Sequence, residues 1–61
     1  MNNYEILEEG KDDKVLVKWN RENGIEYSVH TWNLDKTELI WGHYFNDIND
    51  AKEYFLTTQN R

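Results

Sequence analysis

The chain has no cysteine, no proline and only three glycines in 61 residues. Without cysteine there is no disulfide to staple a small core, no thiolate metal ligand and no thiol chemistry. The usage fits a reducing, cytoplasmic compartment. Without proline, turns must be marked by glycine and by Asn/Asp clusters. Cations are scarce too: seven Lys and Arg stand against twelve Asp and Glu, for a net charge of −5. That balance disfavours direct nucleic-acid binding, which needs a basic surface, and suits a basic partner. The longest purely aliphatic run is Val15-Leu16-Val17, far short of the ~20 residues of a membrane span. The opening MNNYEILEEG shows no basic segment followed by an apolar one, so it does not read as a secretion signal.

What the chain does have is aromatic side chains: three Trp, four Tyr and two Phe. Sixty-one residues allow one domain, 1–61, and these rings, at about 150–250 Å² each, are the available core material. Period-2 alternation predicts four strands, Tyr4 to Glu9, Lys14 to Asn20, Ile25 to Asn33 and Glu38 to Phe45. Turns at Gly10-Lys11-Asp12, Glu22-Asn23-Gly24 and Asn33 to Thr37 separate them. Asp47 is a natural N-cap for a helix beginning at Ile48, with Ile48, Ala51, Tyr54, Phe55 and Thr58 gathered on one side. So short a helix is marginal alone and must dock. The expected fold is therefore α+β: an antiparallel meander of three to four strands with one C-terminal helix on one face, ββββα.

Register follows from the turns. A three-residue loop at Glu22-Asn23-Gly24, with Gly24 left-handed, pairs Arg21 with Ile25. Val17 then faces Val29, Trp19 faces Tyr27 and Val15 faces Thr31; a turn centred on Asp35 pairs Val29 with Trp41 and Tyr27 with His43. The predicted helix-docking face is Val15, Val17, Trp19, Val29, Leu39, Trp41 and Phe45. The predicted outer face is Leu16, Lys18, Glu26, Ser28, His30, Trp32, Ile40, Gly42 and Tyr44. Strand one could turn either Ile6 or Leu7 inward. An uncovered sheet face should be mostly polar, and this one carries Leu16, Trp32, Ile40 and Tyr44 around His30. Such a cluster marks an interface or a sheet bracing its own outer surface.

Reactive constellations are weak. Glu26, Ser28 and His30 share one face of one strand, but residues two apart lie roughly 6.5–7 Å apart, too far for a nucleophile and its base. His30 and His43 have opposite parity and should not share a metal. Asp12-Asp13 and Asp47 with Asp50 lack the spacing of a calcium loop. No enzyme, cofactor or metal is expected.

The segment Trp41-Gly-His-Tyr-Phe45, with Asn46-Asp-Ile-Asn-Asp-Ala-Lys-Glu-Tyr-Phe55 after it, resembles the tail of small uncharacterised proteins of low-GC Gram-positive bacteria and their mobile elements. The resemblance covers about a quarter of the chain and implies a bacterial, phage or plasmid setting; it brings no activity.

Two functions fit these residues. The first is a small acidic protein-binding or regulatory module, with a homodimer among its allowed forms, that acts through Leu16, His30, Trp32, Ile40 and Tyr44. The second is an acidic mimic of nucleic acid that blocks a DNA- or RNA-binding enzyme, as anti-defence proteins of phages and plasmids do. Its motivation is the charge of Glu5, Glu8, Glu9, Asp12, Asp13, Glu22, Glu26, Asp47, Asp50 and Glu53.

Overall fold

A computed structural model describes residues 3–59. Four antiparallel strands, β1 (Tyr4–Glu9), β2 (Lys14–Arg21), β3 (Gly24–Trp32) and β4 (Leu39–Phe45), form one sheet in chain order, followed by helix α1 (Ile48–Gln59). This is the ββββα meander that the alternation predicts. The helix starts where the capping chemistry puts it, with the Asn49 N–H donating to the Asp47 carboxylate at 2.7 Å. Ala51 and Phe55 are its fully buried positions, and they pack with Leu16 and Val29 beneath a rim of Tyr27, Phe45 and Tyr54. At its far end, the Gln59 side chain accepts a hydrogen bond from the Lys11 N–H, tying the helix to the β1–β2 turn. No helix among the described residues is long and apolar enough to cross a membrane.

The register differs from expectation, and the cause is one residue of loop. Arg21 pairs with Gly24, not Ile25, so the β2–β3 loop is the two residues Glu22-Asn23 and Gly24 belongs to the strand. Gly24 keeps the positive φ (132°) that the turn demands. Since side chains alternate with period 2, a slip of one flips a whole strand. Leu16 therefore pairs with Val29 and enters the helix-facing core, while Val15, Val17 and Trp19 pair with His30, Ser28 and Glu26 on the outer face. Lys18, paired with Tyr27, moves to the helix side. Every β2 face assignment drawn from the sequence is thus corrected.

On β4 the difference is two residues, one from the turn and one from a β-bulge. Near the turn Thr31 pairs with Ile40 and Trp32 with Leu39; beyond the irregularity Val29 pairs with His43 and Tyr27 with Phe45. The two shifts cancel in parity past the bulge, so Phe45 and His43 share the side of Val29, and Tyr44 the side of Ser28, as expected. Before the bulge only one shift applies, and Ile40 and Leu39 exchange the faces predicted for them. On strand β1 neither of the residues expected to turn inward does so: Ile6 pairs with Val17 on the outer face, and the irregularity before Glu8 leaves Leu7 unpaired and exposed.

The β1–β2 hairpin closes through consecutive left-handed residues, Asp12 (φ 57°) and Asp13 (φ 61°), with the Lys14 N–H donating to the Lys11 carbonyl. Aspartate tolerates this conformation better than most side chains, and two such residues supply the twist a tight hairpin needs.

Placing Leu16 in the core has a direct consequence. Leu16→Ala should cost about 2–5 kcal/mol, whereas Leu7→Ala, on an exposed side chain, should stay within roughly 0.5 kcal/mol. Urea unfolding of the two variants checks this, and equal losses would contradict the β2 register.

Candidate functional site

The outer face has no helix over it, yet Val15 and Val17 are fully buried there. Their cover is aromatic. The Trp19 indole lies edge-on to Tyr4 (centroids 5.0 Å apart) and reaches the rings of His30 at 6.0 Å and Tyr44 at 6.4 Å. His30 meets Tyr44 edge to face at 5.4 Å. The Trp19 indole N–H donates to the Ser28 hydroxyl at 2.6 Å, and the Arg21 guanidinium sits 5.0 Å above the Trp19 ring while pairing with Glu26 at 2.7 Å. Large rings reaching between strands thus exclude water from the valines beneath, the bracing alternative that the sequence left open.

The five residues predicted to form one binding patch are therefore dispersed. Leu16 is in the helix-facing core with no exposed surface, and His30 is 5% exposed within the outer aromatic cage. Ile40 turns to the helix side, opposite Thr31. Trp32 stays on the outer side, half-buried, and Tyr44 keeps half of its surface exposed. Only Trp32 and Tyr44 remain accessible on the face predicted for them.

The hydrolase-like set does not assemble either. Ser28 is buried and engaged by Trp19, and neither ring nitrogen of His30 has a hydrogen-bond partner among the described residues. His30 and His43 lie on opposite sides of the sheet. Among the described residues no group of three or more His, Asp or Glu is placed to hold a metal. His43 is exposed, and its ring meets that of Tyr54 at a tilt, centroids 4.8 Å apart.

The bulge itself brings forward residues the patch omitted. Between the pairs Val29–His43 and Thr31–Ile40, the two residues Trp41 and Gly42 oppose the single residue His30. Gly42 is there because the His30 imidazole lies on it: a Cβ at position 42 would stand 2.9 Å from both Nδ1 and Nε2. Trp41 occupies the left-handed region (φ 52°), uncommon for a bulky side chain, and is 74% exposed. A little further along, Leu34 is fully exposed at the tip of the β3–β4 loop. That loop is ordered by Asn33, whose side-chain carbonyl accepts from the N–H groups of Thr37 (2.8 Å) and Glu38 (3.2 Å). A glycine inside an alternating strand, as in Trp41-Gly42, is the sequence signal that could have located the bulge.

Beside the bulge lies a pocket of about 270 Å³ lined by Lys14, Val29, His30, Thr31, Trp41, His43 and Tyr54. The Lys14 ammonium donates to the Thr31 hydroxyl at 2.7 Å. Comparison with protein-family models, curated proteins and solved structures yields no match to this chain, so these residues speak only through their geometry.

Burial holds the His30 pKa below the ordinary 6.5; the Ile40 backbone acts in the opposite sense, and the charge of His43 adds to the lowering. A histidine with a depressed folded-state pKa binds fewer protons folded than unfolded, so its stability contribution is complete above about pH 6.5 and is lost as pH falls through the folded value. Wild type should therefore weaken on going from pH 7 to pH 5, and His30→Leu should flatten that slope, as read from urea midpoints at each pH. Gly42→Ala should cost about 1–3 kcal/mol through its clash with the imidazole. A neutral effect in the same assay would mean the ring does not rest on residue 42.

Proposed function

We propose that this chain is a small protein-binding module that engages its partner with the end of the β3–β4 hairpin, Trp41 and Leu34 acting as anchors and Trp32 and Tyr44 flanking them. The observation that carries this reading is Trp41: a large aromatic held in a left-handed conformation with three quarters of its surface in water. A left-handed L-residue costs roughly 1–2 kcal/mol, and an exposed indole returns no burial to the fold. A strained residue that gives nothing to the core is a hypothesis of function, and Trp is foremost among interface anchors.

The sheet edges indicate how the contact is made. Strand edges invite pairing with another chain, and bulges and inserted charges blunt them. Edge strand β1 carries Glu5, Glu8 and Glu9 with an irregularity at Leu7, and edge strand β4 carries the bulge. Continuous sheet extension is discouraged at both edges, which favours side-chain anchoring over strand addition. The mimicry alternative gains no comparable support: its acids are spread over the β1 edge, the two turns flanking β2, Glu26 within β3, and the cap and first half of the helix.

The variant that tests this reading is Trp41→Gly, because glycine relieves the left-handed strain. It gives back only roughly 0.5–1 kcal/mol in unfolded-state entropy, so stability should be unchanged or higher. Solution mass across a concentration range at low and high salt comes first, followed by capture from a lysate of the native host. A salt-resistant dimer, or a captured protein, that disappears with Trp41→Gly supports the reading. Association unaffected by Trp41→Gly and by Leu34→Ser contradicts it, and binding that collapses steeply with salt favours the acidic mimic.

A further inference from the structure

The pocket beside the bulge is chemically unlike the rest of the molecule. In a chain with a net charge of −5, its walls hold the Lys14 ammonium and the His30 and His43 imidazoles, with Thr31, Trp41 and Tyr54 over Val29, and no carboxylate. The ion pairs among the described residues are Arg21–Glu26 and Lys36–Asp13, so Lys14 has no carboxylate partner within 4.0 Å among them. This half-buried lysine uses one N–H on the Thr31 hydroxyl; an ammonium has three to give. Taking a cation partly out of water without an anion costs free energy, which an incoming anion would recover. Three further groups on the same walls can donate to an anion: the Thr31 hydroxyl, the Tyr54 hydroxyl and His43.

We infer that this pocket is a binding site for a carboxylate carried on a flat apolar group, with the Lys14 ammonium on the carboxylate and the Trp41 and Tyr54 rings against the apolar part. A single fixed cation matches a single negative charge; a dianionic phosphate would leave one charge uncompensated against the acidic surface around it. The aromatic walls and Val29 suit a flat hydrocarbon portion, and about 270 Å³ holds a group the size of a benzene ring with its carboxylate. The repulsion of the acidic chain acts at long range and is screened beyond about 10 Å at 0.1 M salt, whereas the Lys14 contact acts at short range. The carboxylate can belong to a free small acid or to the C-terminus of a peptide. The inference does not depend on the hairpin-tip reading, since it concerns a pocket ligand and not a docking surface.

The test is an NMR titration of the full chain at pH 7 with sodium benzoate as the probe. The expected result is saturable shifts centred on Lys14, Thr31, Trp41, His43 and Tyr54, with a Kd of roughly millimolar. Benzamide, which keeps the shape without the charge, should bind at least tenfold more weakly. Lys14→Met should lose at least tenfold and Lys14→Arg should recover most of it. Trp41→Gly, which tests the pocket without removing any core contact, should weaken binding threefold or more. A peptide ending in Phe with a free carboxylate, compared with its amide, separates the two sources. Tighter binding by the free-acid peptide than by benzoate assigns the site to a chain terminus, and the reverse assigns it to a small acid. No saturable shift with benzoate, equal binding of benzamide, or equal binding by Lys14→Met each overturns the inference.

Discussion

Everything on this sheet is positioned by the two-residue connection Glu22-Asn23, which joins Arg21 to Gly24. It sets Leu16 against Val29, and this pair is what Ala51 and Phe55 close over. The same step sends Val15, Val17 and Trp19 to the other side, where no helix is available. That side must then cover itself, and it does so with rings. The fold thus has two small dry regions back to back, one sealed by a helix and one by an aromatic cage.

The bulge on β4 is a second constraint, and it joins the stable and functional parts of the molecule. A histidine without hydrogen-bond partners among the described residues is buried at the cage, and its ring needs a neighbour with no side chain, which Gly42 supplies. The extra residue this creates is Trp41, which takes the left-handed conformation and is pushed into solvent. One irregularity therefore packs the outer face, exposes an indole and opens the pocket next to Lys14. Replacing any of the three residues His30, Trp41 and Gly42 should be felt by the other two, since they share one backbone distortion.

Much of this could be read from the residues alone, and the division is physical. The four strands to within one residue at their ends, the Asp47 cap, the docking positions Ala51 and Phe55 and the meander order follow from local chemistry. The faces of β3 follow too, because Val29 and Ser28 differ in polarity. β2 could not be read this way. Val15, Leu16 and Val17 are all apolar, so either register offers an acceptable core, and only the turn distinguishes them. Gly24 has positive φ in both arrangements, as the end of a three-residue loop or as the first residue of a strand. The predicted binding patch depends on the register: Leu16 belongs to the core, and Ile40, which lies before the bulge, takes the helix side because the turn alone shifts β4 there by one residue. Alternation places Trp41 on the helix-docking face because it assumes an unbroken strand, and the bulge breaks that assumption.

The central claim, that Leu16 and not its neighbours faces the helix, can be read directly from nuclear Overhauser contacts to the Phe55 ring. The structure predicts contacts from the Leu16 and Val29 methyls and none from Val15 or Val17. Contacts from the Val15 or Val17 methyls, with Leu16 silent, would restore the three-residue loop and contradict the account.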